Sequence, residues 1–140
     1  MVRAITEWEQ EEKAIGNGSK VIIAGSRSFA DYEKLKSVCD SILPNLYSEP
    51  RISILSGTSS GSDSLGERYA KERGYTLNRY PADWKRYGKA AGPIRNRQMV
   101  KEADAAIVFW DGQSRGTKNL IEEANRHGLK VWIIMIEPTL

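Results

Sequence analysis

The chain reads as an α/β protein, a Rossmann-like three-layer sandwich around a five-stranded parallel sheet in the order 3-2-1-4-5. Two observations support this, and a third shows where a ligand would bind. Short runs rich in Val and Ile alternate with helical patterns over nearly the whole length. Four of those runs are almost continuously apolar, as strands buried on both faces of a parallel sheet must be. The segments that follow the runs are rich in Gly, Ser, Thr, Asp and Arg, whereas those at the opposite ends show no such pattern. Alternation of this kind requires right-handed crossovers, with helices on both faces of the sheet.

Residues 1–18 stand apart as a helical extension. "AITEWEQEEKAIGNGS" carries Ala4, Ile5, Trp8 and Ile15 as an incomplete apolar stripe and closes on "GNG". The stripe suits packing on its own domain, with a dimer contact or a loose arm as the alternatives. Residues 19–140 form the ligand-binding domain. "KVIIAG" (20–25) is the first strand, and a helix follows over 31–43. In it Leu35, Val38, Cys39, Ile42 and Leu43 keep helical spacing, so Cys39 reads as core filler. "RISILSG" (51–57) is the second strand, followed by a helix over 62–73. "YTLNRY" (75–80) is more polar and belongs at an edge. A helix over 90–102 precedes "AAIVFWDG" (105–112). The last helix, 115–127, sets Leu120, Ile121 and Ala124 on one face, and Gly128 closes it. "KVWIIMI" (130–136) completes the sheet.

Composition narrows the function. At 140 residues the chain is one domain. The net charge of +3 is mild, and the acids share segments with the bases, so a dedicated nucleic-acid track is not expected. The N-terminus lacks the apolar core of a signal peptide, and no apolar run reaches membrane-spanning length. A single cysteine excludes an intrachain disulfide and fits the cytoplasm. One histidine, His127, and one distant cysteine make no metal-ligand set, and no cofactor is expected. His127 also sits toward the far end of the last helix, away from any Ser-His-Asp arrangement at its start.

Ligands of open parallel sheets bind outside the carboxyl ends of the strands. The first loop offers Gly25, Ser26 and Arg27: close backbone approach, a hydroxyl and an anion fork. The second, "SGTSSGSDSLG" (56–66), offers Gly57, Thr58, Gly61 and Asp63 and runs into a helix whose N–H groups favour an anion. Asp63 suits either support of that helix start or a sugar hydroxyl. The third, "YPADWKRYG" (80–88), has Asp83 as a helix cap or ribose acceptor and Trp84 for stacking on a base or covering the sheet edge. The fourth, "DGQSRGT" (111–117), offers Asp111, Gly112, Ser114, Arg115, Gly116 and Thr117 as a phosphate cradle. Neither anion loop has the Walker pattern or the dinucleotide spacing.

"YGKAAGPIRNRQM" (87–99) joins them. Small residues let a helix start lie close to another loop, Pro93 suits a first helical turn, and Arg95 and Asn96 follow within reach of the same edge. Arg95 is expected over an anion held near Gly116 and Thr117. The alternative is a structural pairing of Arg95 with Asp111 or Asp83.

The ordered set "GSRSF", "SGTSSGSDSLGERYA", "YPADWKRYGKAAGPIRNRQM" and "ADAAIVFWDGQSRGT" resembles the YspA-like branch of the SLOG superfamily over about residues 20–135. That superfamily also holds the LOG phosphoribohydrolases, the DprA DNA-binding proteins and ADP-ribose-sensing domains, and the branch occurs in bacteria and phages. The resemblance implies a Rossmann-like fold that binds a nucleotide or nucleotide-derived ligand, and it implies no particular reaction. Two positions depart from the relatives. Ser56-Gly57 stands where they commonly read Gly-Gly, and Leu120 stands where the hydrolytic LOG branch has its glutamate. A hydrolase of that kind would need Asp63, Asp83 or Asp111 instead.

The expected function is therefore binding of a phosphorylated nucleoside or ADP-ribose-like small molecule, as a sensor or sequestering protein. The alternatives are a hydrolase cleaving an N-glycosidic or phosphate bond of such a ligand, with Arg95 and an aspartate as candidate catalytic groups, and a DprA-like DNA binder. Self-association through helices beside the site is a further expectation.

Overall fold

The computed structural model describes residues 19–46 and 51–138. The helical extension and apolar stripe assigned to residues 1–18 lie outside the described residues. Five strands run β1 (Ser19–Gly25), β2 (Ile52–Ser56), β3 (Thr76–Arg79), β4 (Ala105–Trp110) and β5 (Lys130–Met135). All four pairings are parallel, in the order β3-β2-β1-β4-β5. The expected order is borne out, with the polar third strand at an edge.

The strands alternate sides as a pleated chain must. Val21 and Ile23 of β1 join Ile54, Ile107 and Phe109 on one face. There α1 (Tyr32–Leu46) and α2 (Ser62–Arg73) cover them with Leu35, Cys39, Leu43 and Tyr69. Ile22 and Ala24 point the other way, with Leu55, Ala106 and Val108. That face is covered by α4 (Ala91–Glu102) through Met99 and Val100, and by α5 (Arg115–Arg126) through Leu120, Ile121 and Ala124. Cys39 is fully buried among apolar side chains, and burial pushes its thiol up to about 12.

Two details differ from the periodicity. The first helix continues through Pro44, three residues past its expected end. Proline's fixed φ is itself helical, but it lacks the N–H that would bond the Asp40 carbonyl and its ring crowds that carbonyl, and the helix ends at Leu46, two residues on. A short helix, α3 (Trp84–Tyr87), and a 3-10 turn (Gly88–Ala90) fill the approach to α4. They are too short to register as a period.

Candidate functional site

Every strand's carboxyl end opens on the same edge, and the first, second and fourth loops are tied together there by Ser26. Its N–H donates to the Phe109 carbonyl at 2.8 Å, and its hydroxyl accepts the Asp111 N–H at 3.1 Å. Its carbonyl accepts from the Ser62 N–H at 3.2 Å and the Ser62 hydroxyl at 2.9 Å. Ser26 is almost fully buried and serves as the knot of the edge. Gly61 belongs to the same knot. Its φ is +69°, and a Cβ there would run into the Ser26 and Arg27 carbonyls.

Around the knot lies a cavity of two adjoining lobes that share Arg27, Ser59 and Arg95. The inner lobe, about 60 Å³, is lined also by Gly25, Asp63, Asn96, Ser114, Gly116 and Thr117. The outer lobe, about 320 Å³, is lined also by Gly57, Thr58, Ser60, Ala82 and Trp84. Apolar atoms of Ala24, Met99 and Leu120 complete the inner lobe.

Arg95 stands at the junction, 9% exposed. Its Nη1 donates to the Gly57 carbonyl, and its Nε donates to Asn96 Oδ1 at 3.0 Å. Asn96 Nδ2 then donates to Asn119 Oδ1 at 2.9 Å and to the Gly116 carbonyl at 3.3 Å. The α4 start is thus fastened to both anion-suited loops. Gly92 lies against the Trp84 ring. Burial lowers the proton affinity of the Arg95 guanidinium, Asp63 opposes this, and the like charge of Arg27 adds to it.

Asp63 is 5% exposed and lines the inner lobe. Its Oδ2 accepts the Ser59 N–H at 3.1 Å, which closes the second loop. Burial raises its carboxyl to about 6, although the Ser59 N–H, Arg95 and Arg27 all act downward.

At the start of α5, Ser114 caps the helix. Its hydroxyl lies 3.5 Å from the Thr117 N and 3.0 Å from the Thr117 hydroxyl. The Arg115 and Gly116 N–H groups take no acceptor among the described residues, the situation in which a helix start favours an anion.

Several residues singled out above do other work. Asp83 caps α3, accepting the Arg86 N–H at 3.1 Å. Asp111 accepts the N–H groups of Gln113 and Ser114 at 2.8 and 2.9 Å, which shape the fourth turn and hold its carboxyl below the usual range. Ser26, Gly61, Gly112 and Arg115 likewise lie outside both linings. Of the three aspartates considered as a replacement acid, Asp63 alone lines the cavity. The alternative pairing of Arg95 with Asp111 or Asp83 is not what the chain forms: Arg95 donates to the Gly57 carbonyl, and both carboxylates accept N–H groups of their own turns. Ser59 and Ser60 line the cavity without having been singled out, and Asn119 anchors Asn96. The only signal for the serines was their place between Gly57 and Asp63. Among the described residues no group of three His, Cys, Asp or Glu could hold a metal ion, and no helix is long and apolar enough to cross a membrane.

A doubly wound parallel sheet with a polar cavity at its carboxyl edge defines a Rossmann-like α/β protein. The chain belongs to the YspA- and cpYpsA-related SLOG family, whose model matches residues 19–87. The Gene 61 protein of Mycobacterium phage D29 is 33% identical over 119 residues, covering 80% of this chain and 93% of that protein. Two solved structures share the fold. DNA processing protein A (DprA) from Streptococcus pneumoniae matches with a TM-score of 0.66 and 20% identity, over 87% of this chain and 51% of that one. DNA processing protein A from Helicobacter pylori, described for its single-stranded DNA binding mode, matches with a TM-score of 0.60 and 17% identity, over 82% and 64%. The chain thus spans about half the length of the first of these structures and under two thirds of the second.

Proposed function

We propose that the protein binds a nucleotide or nucleotide-derived ligand in the two-lobed cavity, as a sensor or sequestering protein. The observation that carries this reading is the buried Arg95 at the junction of the lobes. Two guanidinium groups, Arg27 and Arg95, line both lobes, and the one carboxylate among them, Asp63, is resisted by its own burial. An anion entering between them relieves the repulsion of the like charges and can take the free N–H groups of the α5 start. The phosphate is assigned to the inner lobe, with Gly116, Thr117 and Ser114. The sugar and base take the outer lobe, where the half-exposed Trp84 offers a ring face. Membership of the SLOG family and the likeness to DprA support nucleotide-related binding.

A second reading, hydrolysis of an N-glycosidic or phosphate bond, has one observation in its favour. A carboxyl raised to about 6 inside a cavity is matched to proton transfer near neutral pH. Calorimetric titration with ADP-ribose, AMP and NAD, followed by chromatography of the incubated mixtures, tests both. Saturable binding with the ligand recovered intact supports the binding protein, and released base or phosphate supports the hydrolase. Absence of saturable binding by any of the three, with tight and salt-sensitive capture of single-stranded DNA, would overturn both in favour of a DprA-like role.

A further inference from the structure

Thr58 is the one residue other than glycine with a positive φ among the described residues, at +67°. That region is unfavourable for a β-branched side chain, so the loop must be held there by its surroundings. The Thr58 N–H donates to Ser56 Oγ at 3.0 Å. Ser56 Oγ donates in turn to Glu67 Oε2 at 2.7 Å, and Arg79 Nε donates to the same oxygen at 3.2 Å. A serine hydroxyl has one proton and two lone pairs. With the proton committed to Glu67, a lone pair is left facing Thr58.

The three groups come from the last residue of β2, the second turn of α2 and the last residue of β3. Ser56 is fully buried and stands beside Arg79 in the strand register, so its hydroxyl has little freedom to turn elsewhere. Arg79 is mostly exposed, so its ion pair with Glu67 adds little by itself. Between Ser56 and Thr58 lies Gly57, whose carbonyl takes Arg95 Nη1.

We infer that Glu67, which lines neither lobe, is a positioning residue of the site. Through the Ser56 hydroxyl it holds Thr58 in the left-handed conformation and thereby aims the Gly57 carbonyl at Arg95. The brace requires a hydroxyl at position 56, because only a side chain with one proton and a free lone pair can relay between Glu67 and the Thr58 N–H. Its effect on a ligand rests on the binding reading above, whereas the brace itself is a property of the free protein.

Nuclear magnetic resonance of the ligand-free protein tests it. In Glu67→Ala the Thr58 amide should exchange with solvent about tenfold faster or more, and the Arg95 Nε–H resonance should move. Glu67→Gln retains an oxygen that can accept the Ser56 proton and should keep both signals near those of the parent. Glu67→Ala combined with Thr58→Gly should restore the Arg95 signal, because glycine takes a positive φ without a brace. Should Glu67→Ala fail to fold, Ser56→Ala removes the same relay and is read in the same way. Unchanged Thr58 exchange, or an unmoved Arg95 resonance, overturns the inference. ADP-ribose titration adds the functional arm, with affinity expected to fall about tenfold in Glu67→Ala. If the parent protein does not bind ADP-ribose, the binding reading fails while the two resonance readouts still decide the brace.

Discussion

Arg95 and Asp63 reach into the same space, the one Gly57 leaves by having no side chain. A Cβ on Gly57 would lie 2.7 Å from Arg95 Nη1 and 2.8 Å from Asp63 Oδ2. A cation from α4 and an acid from α2 thus converge on the end of β2, and the glycine is what lets them do so.

Gly57→Ala is therefore expected to destabilise the fold by about 1–3 kcal/mol, the usual cost of crowding a packed site. Urea denaturation measures it. An unchanged midpoint would mean that both side chains can move aside.

Arg95→Ala should weaken ADP-ribose binding by tenfold or more, since a charge-assisted contact is worth about 1.5–3 kcal/mol. Arg95→Lys keeps the charge but loses the fork and should recover only part of that affinity. Titration calorimetry at a temperature where both variants are folded separates this from lost stability. Normal affinity in a variant with a lowered melting temperature would assign Arg95 to structure alone.

Asp63 makes the stability pH-dependent. Its carboxyl titrates near 6 in the folded state against 3.8 as the reference, so the folded protein holds the proton more tightly. The contribution is present in full below the reference value and is lost as pH rises through about 6. That contribution is roughly 3 kcal/mol at most. Asp63→Asn, which can still accept the Ser59 N–H, should melt higher than the parent at pH 8 and converge with it near pH 4. Thermal melts across that range check the sign.

Thr58→Gly releases a left-handed threonine, a conformation costing about 1–2 kcal/mol. The more flexible unfolded chain offsets about 0.4–1 kcal/mol of this. A net gain of between about 0 and 1.6 kcal/mol is expected in urea denaturation, and a loss would show that contacts of the threonine side chain outweigh the strain.

On the proposed binding reading, Trp84 is the ring on which a base would stack, apart from the phosphate. It is 49% exposed at the outer lobe, and stacking a base on an aromatic ring is worth about 1–3 kcal/mol. Trp84→Leu should lower affinity for AMP while leaving that for inorganic phosphate unchanged. Equal losses for both probes would remove the base from this ring.

Much of the edge was legible because glycine, hydroxyl and charged residues cluster in the segments that follow the strands. Gly25, Arg27, Asp63, Arg95, Asn96 and Thr117 all line one cavity. Asp83 and Asp111 carry the same chemistry in similar loops and yet close their own turns. Composition cannot separate these cases, because an aspartate two or three residues before a free N–H serves a turn as readily as a ligand.

Strand and helix placement and the polarity of the third strand follow from short apolar runs and from spacing of period 3.6, which are local and survive in one dimension. The partner of Arg95 does not. Its choice of the Gly57 carbonyl over an aspartate depends on how close α4 packs to the end of β2. The raised carboxyl of Asp63 depends on how much protein surrounds it. The relay from Glu67 through Ser56 to Thr58 joins residues brought together by strand register and helix packing. Hydrogen-bond partners and burial are set by distances across the fold, and those exist only once the sheet and its helices have closed around them.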